Sequence, residues 1–291
     1  MSSSPKRVRG SRRALTDAHD PPRPFLKWAG GKGQLLEQLQ PLLPVAPFRR
    51  YFEPFVGSAA LFFALRPAEA TLSDVNEELI DCYLAVQKQV ERLASALARH
   101  TYEEALYYQV RAQEPAALDL PRRAARTIYL NKTGYNGLYR VNRAGLFNVP
   151  FGRYTNPGFC SPASLANLRA CSRALRGARV VVRDFAQVVT RARKGDFVYC
   201  DPPYVPLSGT SAFTAYQAGG FGPDEQARLA EVVARLTDAG VLVMLSNSDT
   251  PSVRKLYASS RYRINTVTAS RSINSRGSGR GKVREVVVRN Y

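Results

Sequence analysis

The feature that most constrains the fold of this chain is an alternation of short apolar segments with helical patterns, which begins near residue 50. Seven segments have the length and character of single strands, and they are Tyr51–Phe55, Ala70–Ser73, Arg179–Arg183, Asp196–Cys200, Val241–Leu245, Tyr262–Thr268 and Arg284–Arg289. Helical patterns separate most of them, and these are Ser58–Leu65, Ser164–Leu175, Asp224–Asp238 and Ser252–Ser259. Strands that alternate with helices form βαβ units, so the sequence predicts an α/β fold with a mostly parallel sheet.

The alternation changes at the end of the chain and in its middle. Only an Arg-, Gly- and Ser-rich loop joins the last two segments, which predicts an antiparallel hairpin at one edge of the sheet. After Asn76, three helical patterns follow one another without a strand, and they are Glu77–Leu97, Tyr102–Ala112 and Pro121–Asn131. Residues Asn136–Val149 then alternate around a Gly-containing turn, which predicts a β-hairpin. We therefore expect a catalytic-sized domain of residues 24–76 and 163–291, with a mainly helical lobe of residues 77–162 inserted into it.

The net charge is positive and unevenly distributed. Lys and Arg number 42 against 23 Asp and Glu, a formal net charge of +19. Residues 121–153 hold seven basic residues and no acidic one, and residues 250–291 hold ten against Glu285 alone. A genome bias towards Arg would replace Lys but would not remove acids from two segments. Segregated positive charge is typical of polyanion binders, so the predicted partner is nucleic acid, and the inserted lobe is the better candidate for contacting it.

The rest of the composition excludes several classes of protein. Apolar residues make up 45% of the chain, which excludes wholesale disorder. The longest apolar runs, such as Val241–Leu245, are far shorter than the roughly 20 residues of a membrane span. Residues 1–23 are basic with no apolar stretch after them, which predicts a disordered arm and not a secretory signal. Four widely spaced cysteines fit neither a disulfide framework nor a metal knuckle, so we expect free thiols in a reduced cytoplasm.

The motif with the clearest chemical meaning is Asp201-Pro202-Pro203-Tyr204, directly after the predicted strand Asp196–Cys200. It would lie at the carboxyl end of a parallel strand, where α/β sheets bind their ligands. The carboxylate of Asp201 and the carbonyl of Pro202 can accept both protons of a planar amine while the ring of Tyr204 stacks on its face. The alternative is purely structural: a strand ended by prolines and followed by a surface tyrosine.

Three weaker segments flank the first two predicted strands. Glu53–Ala59 joins the first strand to a helix through small residues, which lets the backbone approach a ligand closely. Asp74, after the second strand, could accept hydrogen bonds from the ribose of a nucleoside cofactor or could cap the following helix. Phe25–Gly33 lacks the spacing of a phosphate-binding loop and indicates the lip of a cofactor pocket.

Metal and catalytic-triad chemistry find no support in the sequence. His19 falls in the basic arm and His100 at the end of a helical pattern, so the chain offers neither a histidine cluster nor a general-base histidine. Paired carboxylates in a glycosidase-like context are missing as well. We therefore expect no metal in the site.

Several segments occur in the order that is found in the DNA adenine N6-methyltransferases of the Dam type, the D12 class. They are Phe25–Lys32, Glu53–Gly57, Asp74–Asn76, Asn131–Asn148 and Asp201–Tyr204. The match covers nearly the whole chain after the arm and includes Asn148–Tyr154 and Leu245–Asn247. The resemblance implies a Rossmann-like class I methyltransferase sheet of seven strands with a target-recognition lobe inserted after the second. It also implies S-adenosylmethionine as the methyl donor and double-stranded DNA as the substrate, usually at GATC.

The resemblance further implies roles for individual residues. The cofactor-binding positions would be Trp28, Lys32, Phe55, Gly57, Asp74, Asp184, Phe185 and Asp201. The clamp on the target base would be Asp201, Pro202 and Tyr204. The DNA-binding positions would be Lys27, Tyr135, Asn136, Leu138, Arg140, Asn142, Pro150 and Arg153. Of these, Tyr135 resembles the residue that wedges into the base stack, whereas Lys27, Leu138, Arg140 and Pro150 resemble readers of bases.

Position 59 departs from the pattern, because the family often has a second glycine where this chain has Ala59. The extra methyl group lies at the turn after the first strand, beside the expected cofactor pocket. We expect the pocket to be kept and the affinity for the cofactor to be the property affected.

The expected activity is methyl transfer to N6 of an adenine that has been flipped out of the duplex. Hydrogen bonds from the N6 protons to Asp201 and Pro202 would favour the pyramidal nitrogen of the transition state. Two alternatives stay open: the clamp could serve N4 of cytosine or an adenine in RNA, or the chain could be a catalytically silent DNA-binding regulator. We expect a monomer in the bacterial cytoplasm, and the sequence leaves open whether it works alone or beside a restriction nuclease.

Overall fold

The computed structural model describes residues 21–205, 221–270 and 282–291 of the chain. The predicted N-terminal arm lies outside the described residues except for its last three positions. The loop between the last two strands and the segment at 206–220, shortly after the Asp201–Tyr204 motif, lie outside them as well.

One seven-stranded sheet forms the centre of the described structure. Its strands are β1 (Tyr51–Glu53), β2 (Ala70–Asp74), β3 (Ala178–Val182), β4 (Phe197–Cys200), β5 (Leu242–Ser248), β6 (Arg263–Ser270) and β7 (Lys282–Arg289). Their order across the sheet is β3-β2-β1-β4-β5-β7-β6. Strands β1 to β5 are parallel, whereas β7 runs antiparallel to both of its neighbours, β5 and β6. The predicted strands and the antiparallel pair at the sheet edge are confirmed.

Helices connect the strands and cover both faces of the sheet. In the described part of the chain they are α1 (Leu36–Leu39), α2 (Ala60–Leu65), α3 (Glu77–Leu97), α4 (Glu104–Ala112), α5 (Leu120–Thr133), α6 (Pro162–Leu175), α7 (Phe185–Val188), α8 (Pro223–Asp238) and α9 (Pro251–Leu256). The side chains of Asn76, Asp119 and Ser161 each cap a helix by accepting a hydrogen bond from the N–H group three residues later. The predicted helices are confirmed, with bounds shifted by a few residues.

The sheet separates two apolar layers, because alternate residues of a strand point to opposite faces. On one side Tyr51 and Leu72 pack with α2, α3, α5 and α6. On the other side Phe52 and Val198 pack with α7, α8 and α9. All residues of β4 are buried, as expected for a central strand of a sheet that is covered on both faces. No helix among the described residues is long and apolar enough to cross a membrane.

Helices α3, α4 and α5 lie between β2 and β3, where the sequence predicted an inserted helical segment. The hairpin predicted there forms only in part, because Val141 and Phe147 make a single antiparallel bridge. The N–H group of Asn142 donates to the carbonyl of Leu146 at 2.9 Å, and that of Asn148 to the carbonyl of Arg140 at 3.0 Å. Tyrosine hydroxyls bind carbonyl groups of the same region, so side chains replace part of the expected ladder.

Candidate active site and nucleic-acid interface

The carboxyl ends of three neighbouring strands bring three carboxylates to one edge of the sheet. Strand β1 ends at Glu53, β2 ends at Asp74, and Asp201 follows the last residue of β4. The three strands are parallel and adjacent, so their ends meet at the same edge. Open α/β sheets bind ligands at this edge, which is where the sequence predicted the Asp201–Tyr204 motif.

The turn after β1 brings Trp28 and Asp74 together. Gly57 has a φ of 44°, and a Cβ atom at this position would lie 3.1 Å from Cδ1 of Trp28. Glycine is suited to both the positive φ and the close approach of the indole. The N–H group of Gly57 faces Oδ2 of Asp74 at 3.5 Å, and the hydroxyl of Tyr83 donates to the Gly57 carbonyl at 2.8 Å. Trp28, Gly57 and Asp74 therefore form one wall of the site.

Asp74 presents an acceptor group and does not cap the following helix. Its Oδ1 accepts a hydrogen bond from the N–H group of Asn76 at 3.0 Å, and Asn76 itself is the N-cap of α3. Burial raises the pKa of Asp74 to about 6, and hydrogen bonds from backbone N–H groups oppose the rise. The interpretation of Asp74 as a helix cap is thus wrong, and its carboxylate keeps acceptor capacity for a ligand.

A second wall of the site is aromatic. Phe55, after β1, and Phe185, at the start of α7, stack with their ring centroids 5.1 Å apart. The guanidinium of Arg228 lies 4.1 Å from the Phe185 ring centroid and places Nη2 2.7 Å from Oδ2 of Asp184. The hydrogen bond from Arg228 holds the pKa of Asp184 below its usual value. The Asp184 carboxylate is therefore engaged within the protein, where it helps to hold the Phe185 ring.

Lys32, Asp201 and Tyr204 form the centre of the site. The Nζ atom of Lys32 lies 2.7 Å from Oδ1 of Asp201 and 4.6 Å from the centroid of the Tyr204 ring. The Lys32 side chain is only 3% exposed, so a buried cation faces the carboxylate. Burial raises the pKa of Asp201 to about 6, and the charge of Lys32 opposes the rise. Tyr204 is partly buried in this cluster, which contradicts the structural alternative of a surface tyrosine.

The sequence assigned no role to two carboxylates of the site, Glu53 and Glu285. Glu53 is 2% exposed and accepts a hydrogen bond from the Tyr51 hydroxyl at 2.9 Å, and burial raises its pKa well above the usual range. Glu285, on β7, accepts a hydrogen bond from the Tyr204 hydroxyl at 2.6 Å. Glu53 belonged to a recognised segment, whereas the only sequence signal of Glu285 was its isolation among ten basic residues.

Asn131 joins the Phe25–Gly33 segment to residues 134–154, called the recognition loop from here on. Its buried amide accepts a hydrogen bond from the N–H group of Lys27 at 2.8 Å. It donates to the carbonyl groups of Lys27 at 2.7 Å and of Gly137 at 3.0 Å. Gly137 has a φ of 63°, and a Cβ atom there would collide with Cδ of Lys27. The Nζ atom of Lys27 lies 4.5 Å from the centroid of the Tyr154 ring.

The residues predicted to bind DNA lie on this loop and on the Lys27 segment, and most are exposed to solvent. The exposed ones are Lys27, Tyr135, Asn136, Arg140, Asn142, Pro150 and Arg153, and Leu138 is half-buried. The N–H group of Tyr135 donates to the Pro150 carbonyl at 2.9 Å, which places these two residues side by side.

Arg140 and Asn142 also make contacts within the loop. The Nε atom of Arg140 donates to Oδ1 of Asn148 at 2.7 Å, and Nη2 donates to the Asn148 carbonyl at 3.2 Å. Oδ1 of Asn142 accepts from the N–H groups of Ala144 and Leu146 at 2.9 and 3.0 Å. Arg140 is thereby oriented with N–H groups to spare, whereas the Asn142 side chain shapes the turn.

The described part of the chain shows neither a cluster of metal-binding side chains nor an activated thiol. Its residues contain no group of three or more His, Cys, Asp or Glu side chains that could hold a metal ion. All four cysteines are free. Cys200, next to the Asp201–Tyr204 motif, is buried, and burial raises the pKa of its thiol.

Comparison with known proteins points in the same direction as the geometry. The family of D12 class N6 adenine-specific DNA methyltransferases matches residues 28–273. The chain is 40% identical to the type II methyltransferase M1.LlaDCHI of Lactococcus lactis subsp. cremoris, covering 92% of this chain and 95% of the relative. It is 40% identical to the type II methyltransferase M.MjaIII of Methanocaldococcus jannaschii, covering 92% and 99%. It is 38% identical to a DNA adenine methylase of Salmonella typhi, covering 91% and 94%.

Proposed function

The chain belongs to the D12 class N6 adenine-specific DNA methyltransferase family, and we propose that it methylates an adenine flipped out of duplex DNA at GATC sites. N6-adenine methylation of DNA follows from the family and from the relatives that are DNA adenine methylases. The sheet is that of a class I methyltransferase, with seven strands and one antiparallel member. In this proposal a monomer acts in the cytoplasm, residues 24–76 and 163–291 are the catalytic domain, and residues 77–162 recognise the target.

Membership of the family makes S-adenosylmethionine the methyl donor, and the residues at the sheet edge fit it. Asp74 offers acceptors to ribose hydroxyls, and Lys32 offers a buried ammonium group to a carboxylate. Gly57, which has no Cβ, lets the turn approach the Trp28 ring closely. The stacked rings of Phe55 and Phe185 are suited to a planar base. When bound, the donor supplies an electrophilic methyl group on a positively charged sulfur.

The observation that carries the proposed chemistry is the carboxylate of Asp201 beside the ring of Tyr204. The N6 lone pair of adenine is delocalised into the ring, which makes the amine a poor nucleophile. Hydrogen bonds from the two N6 protons to Asp201 and to the Pro202 carbonyl would favour the pyramidal nitrogen of the transition state. Tyr204 would stack on the base and fix its distance from the donor. Lys32 favours the ionised form of Asp201 and therefore keeps it an acceptor.

The positions of these groups support base flipping. N6 of a paired adenine is inside the duplex and cannot reach a carboxylate at the edge of the sheet. Tyr135 is 50% exposed on the recognition loop, and its N–H group is anchored on the Pro150 carbonyl. We assign Tyr135 the role of a wedge, because its ring can stack in the space that the adenine leaves.

The target assignment rests on the side chains that the loop exposes. The guanidinium of Arg140 and the ammonium of Lys27 are donors suited to O6 and N7 of guanine in the major groove. Leu138 and Pro150 offer apolar surface for the methyl group of a thymine. Arg153 is an exposed cation suited to the phosphate backbone. Two guanine readers and an apolar thymine contact are consistent with GATC.

Labelled S-adenosylmethionine and two duplexes that differ only in one GATC test the proposal. N6-methyladenine in the GATC duplex alone would support the reaction, the substrate and the readers together. Equal labelling of both duplexes would overturn the target assignment, and label on cytosine N4 would overturn the assignment of the base. DNA binding without labelling and without cofactor binding would favour the silent regulator.

A further inference from the structure

Glu285 enters the site because β7 runs against the parallel strands. It pairs in register with Ser248 at the end of β5 and with Val267 of β6. An antiparallel strand places its beginning at the edge where the parallel strands end, so an early residue of β7 lies at the carboxyl edge. A residue 84 positions after Asp201 thus reaches the same cluster by topology alone.

The contact made by Glu285 is directed at the ring that we assign to the target base. Oε2 of Glu285 accepts a hydrogen bond from the Tyr204 hydroxyl at 2.6 Å. Lys32 lies against the face of the same ring, with Nζ 4.6 Å from its centroid. The tyrosine is therefore held at its hydroxyl end and at one face, which restricts rotation of its side chain.

The backbone of the same segment is held by other side chains. The Nε2 atom of Gln226, on α8, donates to the Pro203 carbonyl at 3.1 Å. The hydroxyl of Ser248 donates to the Val205 carbonyl at 2.9 Å. These two contacts fix the main chain around Tyr204, and the hydroxyl of its side chain is oriented by Glu285 and by the neighbouring Asp201.

Among the side chains that the structure describes, no ion pair accounts for Glu285. It is the single acid among residues 250–291, yet within residues 21–205, 221–269 and 283–291 no lysine or arginine side chain forms an ion pair with it. Asp249, in contrast, pairs with Arg254 at 2.6 Å and with Arg284 at 3.5 Å. The acid that could neutralise this basic surface is Asp249, whereas Glu285 faces the site.

We propose that Glu285 is a positioning residue for methyl transfer, holding the ring of Tyr204 in the plane that receives the target adenine. The inference rests on the proposed function of Tyr204. A charged acceptor makes a stronger hydrogen bond to a hydroxyl than a neutral one, which suits a ring that must stay fixed while the base enters. The negative charge of Glu285 also interacts with the carboxylate of Asp201.

The effect on Asp201 provides a readout that a merely structural role would not move. The titratable and charged groups around Asp201 are Lys32, Glu53, Tyr199, Cys200, Tyr204 and Glu285. Among them, the negative charge of Glu285 raises the pKa of Asp201, whereas Lys32 lowers it. Glu285→Gln removes this charge but keeps an oxygen that can accept from Tyr204. It should therefore shift the acidic limb of the pH–rate profile to lower pH.

The experiment compares single-turnover methylation by Glu285→Ala, Tyr204→Phe and the double variant, with thermal unfolding as a check of folding. Each single change should slow methylation by about 10-fold or more, because each removes a hydrogen bond to a charged group. The double variant should be no slower than the slower single variant, since Tyr204→Phe already removes the hydrogen bond that Glu285→Ala removes. Glu285→Gln should lose less rate than Glu285→Ala and should show the shifted limb. Glu231→Gln, the same change at an exposed site on α8, should alter neither the methylation rate nor the position of the acidic limb.

The role of Glu285 would be overturned if the rate losses of the two single variants multiplied in the double variant. It would also be overturned if the acidic limb of the pH–rate profile did not shift in Glu285→Gln. Tyr204→Phe keeps the ring and tests the contact from its other side if Glu285→Ala does not fold. Asp201→Ala, measured in parallel, separates this inference from the proposed function. Wild-type methylation by Asp201→Ala would overturn the clamp itself, whereas an inactive Asp201→Ala with uncoupled Glu285 and Tyr204 variants would overturn only the positioning role.

Discussion

The carboxyl edge of the sheet and the recognition loop place their side chains in opposite ways. At the edge, strands end at fixed points, and Lys32 and Asp201 face each other inside the protein. In the recognition loop, isolated bridges and scattered backbone hydrogen bonds take the place of a ladder, and proposed readers such as Arg140 lie in solvent. In the proposed function, the chemistry is thus built on a rigid scaffold, whereas specificity is built on a loop.

The loop is nevertheless ordered, because tyrosine hydroxyls hold its carbonyl groups. Tyr102 donates to the carbonyl of Gly152 at 2.6 Å, and Tyr154 donates to that of Gly134 at 2.8 Å. Tyr107 donates to the carbonyl of Val149 at 2.9 Å. Changes at the sheet edge should therefore reduce the rate without altering site preference, and changes in the loop or its ties should alter preference with less effect on the rate.

The largest effect should come from Asp201→Ala. Loss of the acceptor for the N6 protons should slow single-turnover methylation by about 10²–10³-fold, the range seen when a group that stabilises a transition state is removed. Affinity for GATC duplexes, measured by fluorescence anisotropy, should stay unchanged because the readers lie elsewhere. An equal loss of rate and of DNA affinity would break the comparison between the two regions.

Asn131→Ala should cause the largest loss of stability among the loop contacts. It leaves the N–H group of Lys27 and two carbonyl groups without their partner, which should lower the free energy of unfolding by about 2–3 kcal/mol in urea denaturation. It should also weaken discrimination at the guanine assigned to Lys27, because Lys27 is no longer fixed against the loop. Asn142→Ala, an exposed turn residue, is the control and should cost less. Equal losses in the two variants would contradict the role of Asn131.

Arg140→Ala should reduce discrimination at one guanine by about 1–3 kcal/mol, measured as the ratio of kcat/KM between GATC and the site with that guanine replaced. The rate at saturating DNA should change little, since the clamp is intact. Arg143→Ala removes an equal charge from a neighbouring exposed position and is the matched control. Unchanged site preference in Arg140→Ala would show that another residue reads the guanine.

The pH dependence of the methylation rate should arise from groups at the edge of the sheet and not from the recognition loop. Burial raises the pKa of Asp201 to about 6, so the carboxylate is ionised above that value and protonated below it. A protonated Asp201 loses acceptor capacity, and the single-turnover rate should fall about tenfold for each pH unit below 6. Burial also raises the pKa of Asp74 to about 6, so the measurement is made at saturating cofactor. If the affinity for DNA fell over the same pH range as the single-turnover rate, the assignment of the pH dependence to Asp201 would be contradicted.

The smallest effect should come from Ala59→Gly, at the strained turn of the edge. Ala59 has a φ of 52° and is buried, a conformation that alanine adopts only at a cost. Glycine should relieve this strain and raise the free energy of unfolding by about 0.5–1 kcal/mol, net of its greater freedom in the unfolded chain. Ala64→Gly, inside α2, should have the opposite sign. Destabilisation by Ala59→Gly would mean that packing of the methyl group outweighs the strain.

The strands, the helices and the positions of Asp74 and Asp201 could all be predicted from the sequence. Hydrophobic periodicity is local, and a parallel strand carries the residue at its end to the ligand-binding edge. The recognition-loop hairpin was predicted with more pairing than is present, because periodicity does not reveal that hydroxyls of Tyr102 and Tyr107 take carbonyl groups of this region. The engagement of Asp184 by Arg228, 44 positions later, was equally hidden.

By itself, the sequence determined the fold class, the family and the groups available for chemistry, because each of these depends on residues that are close together in the chain. Only the tertiary structure decided which distant groups act together. Asn131 reaches Lys27 across 104 positions, and Tyr204 reaches Glu285 across 81. The reason is physical: a hydrogen bond requires two atoms within about 3 Å, and the order of strands in the sheet, not their order in the chain, brings such atoms together.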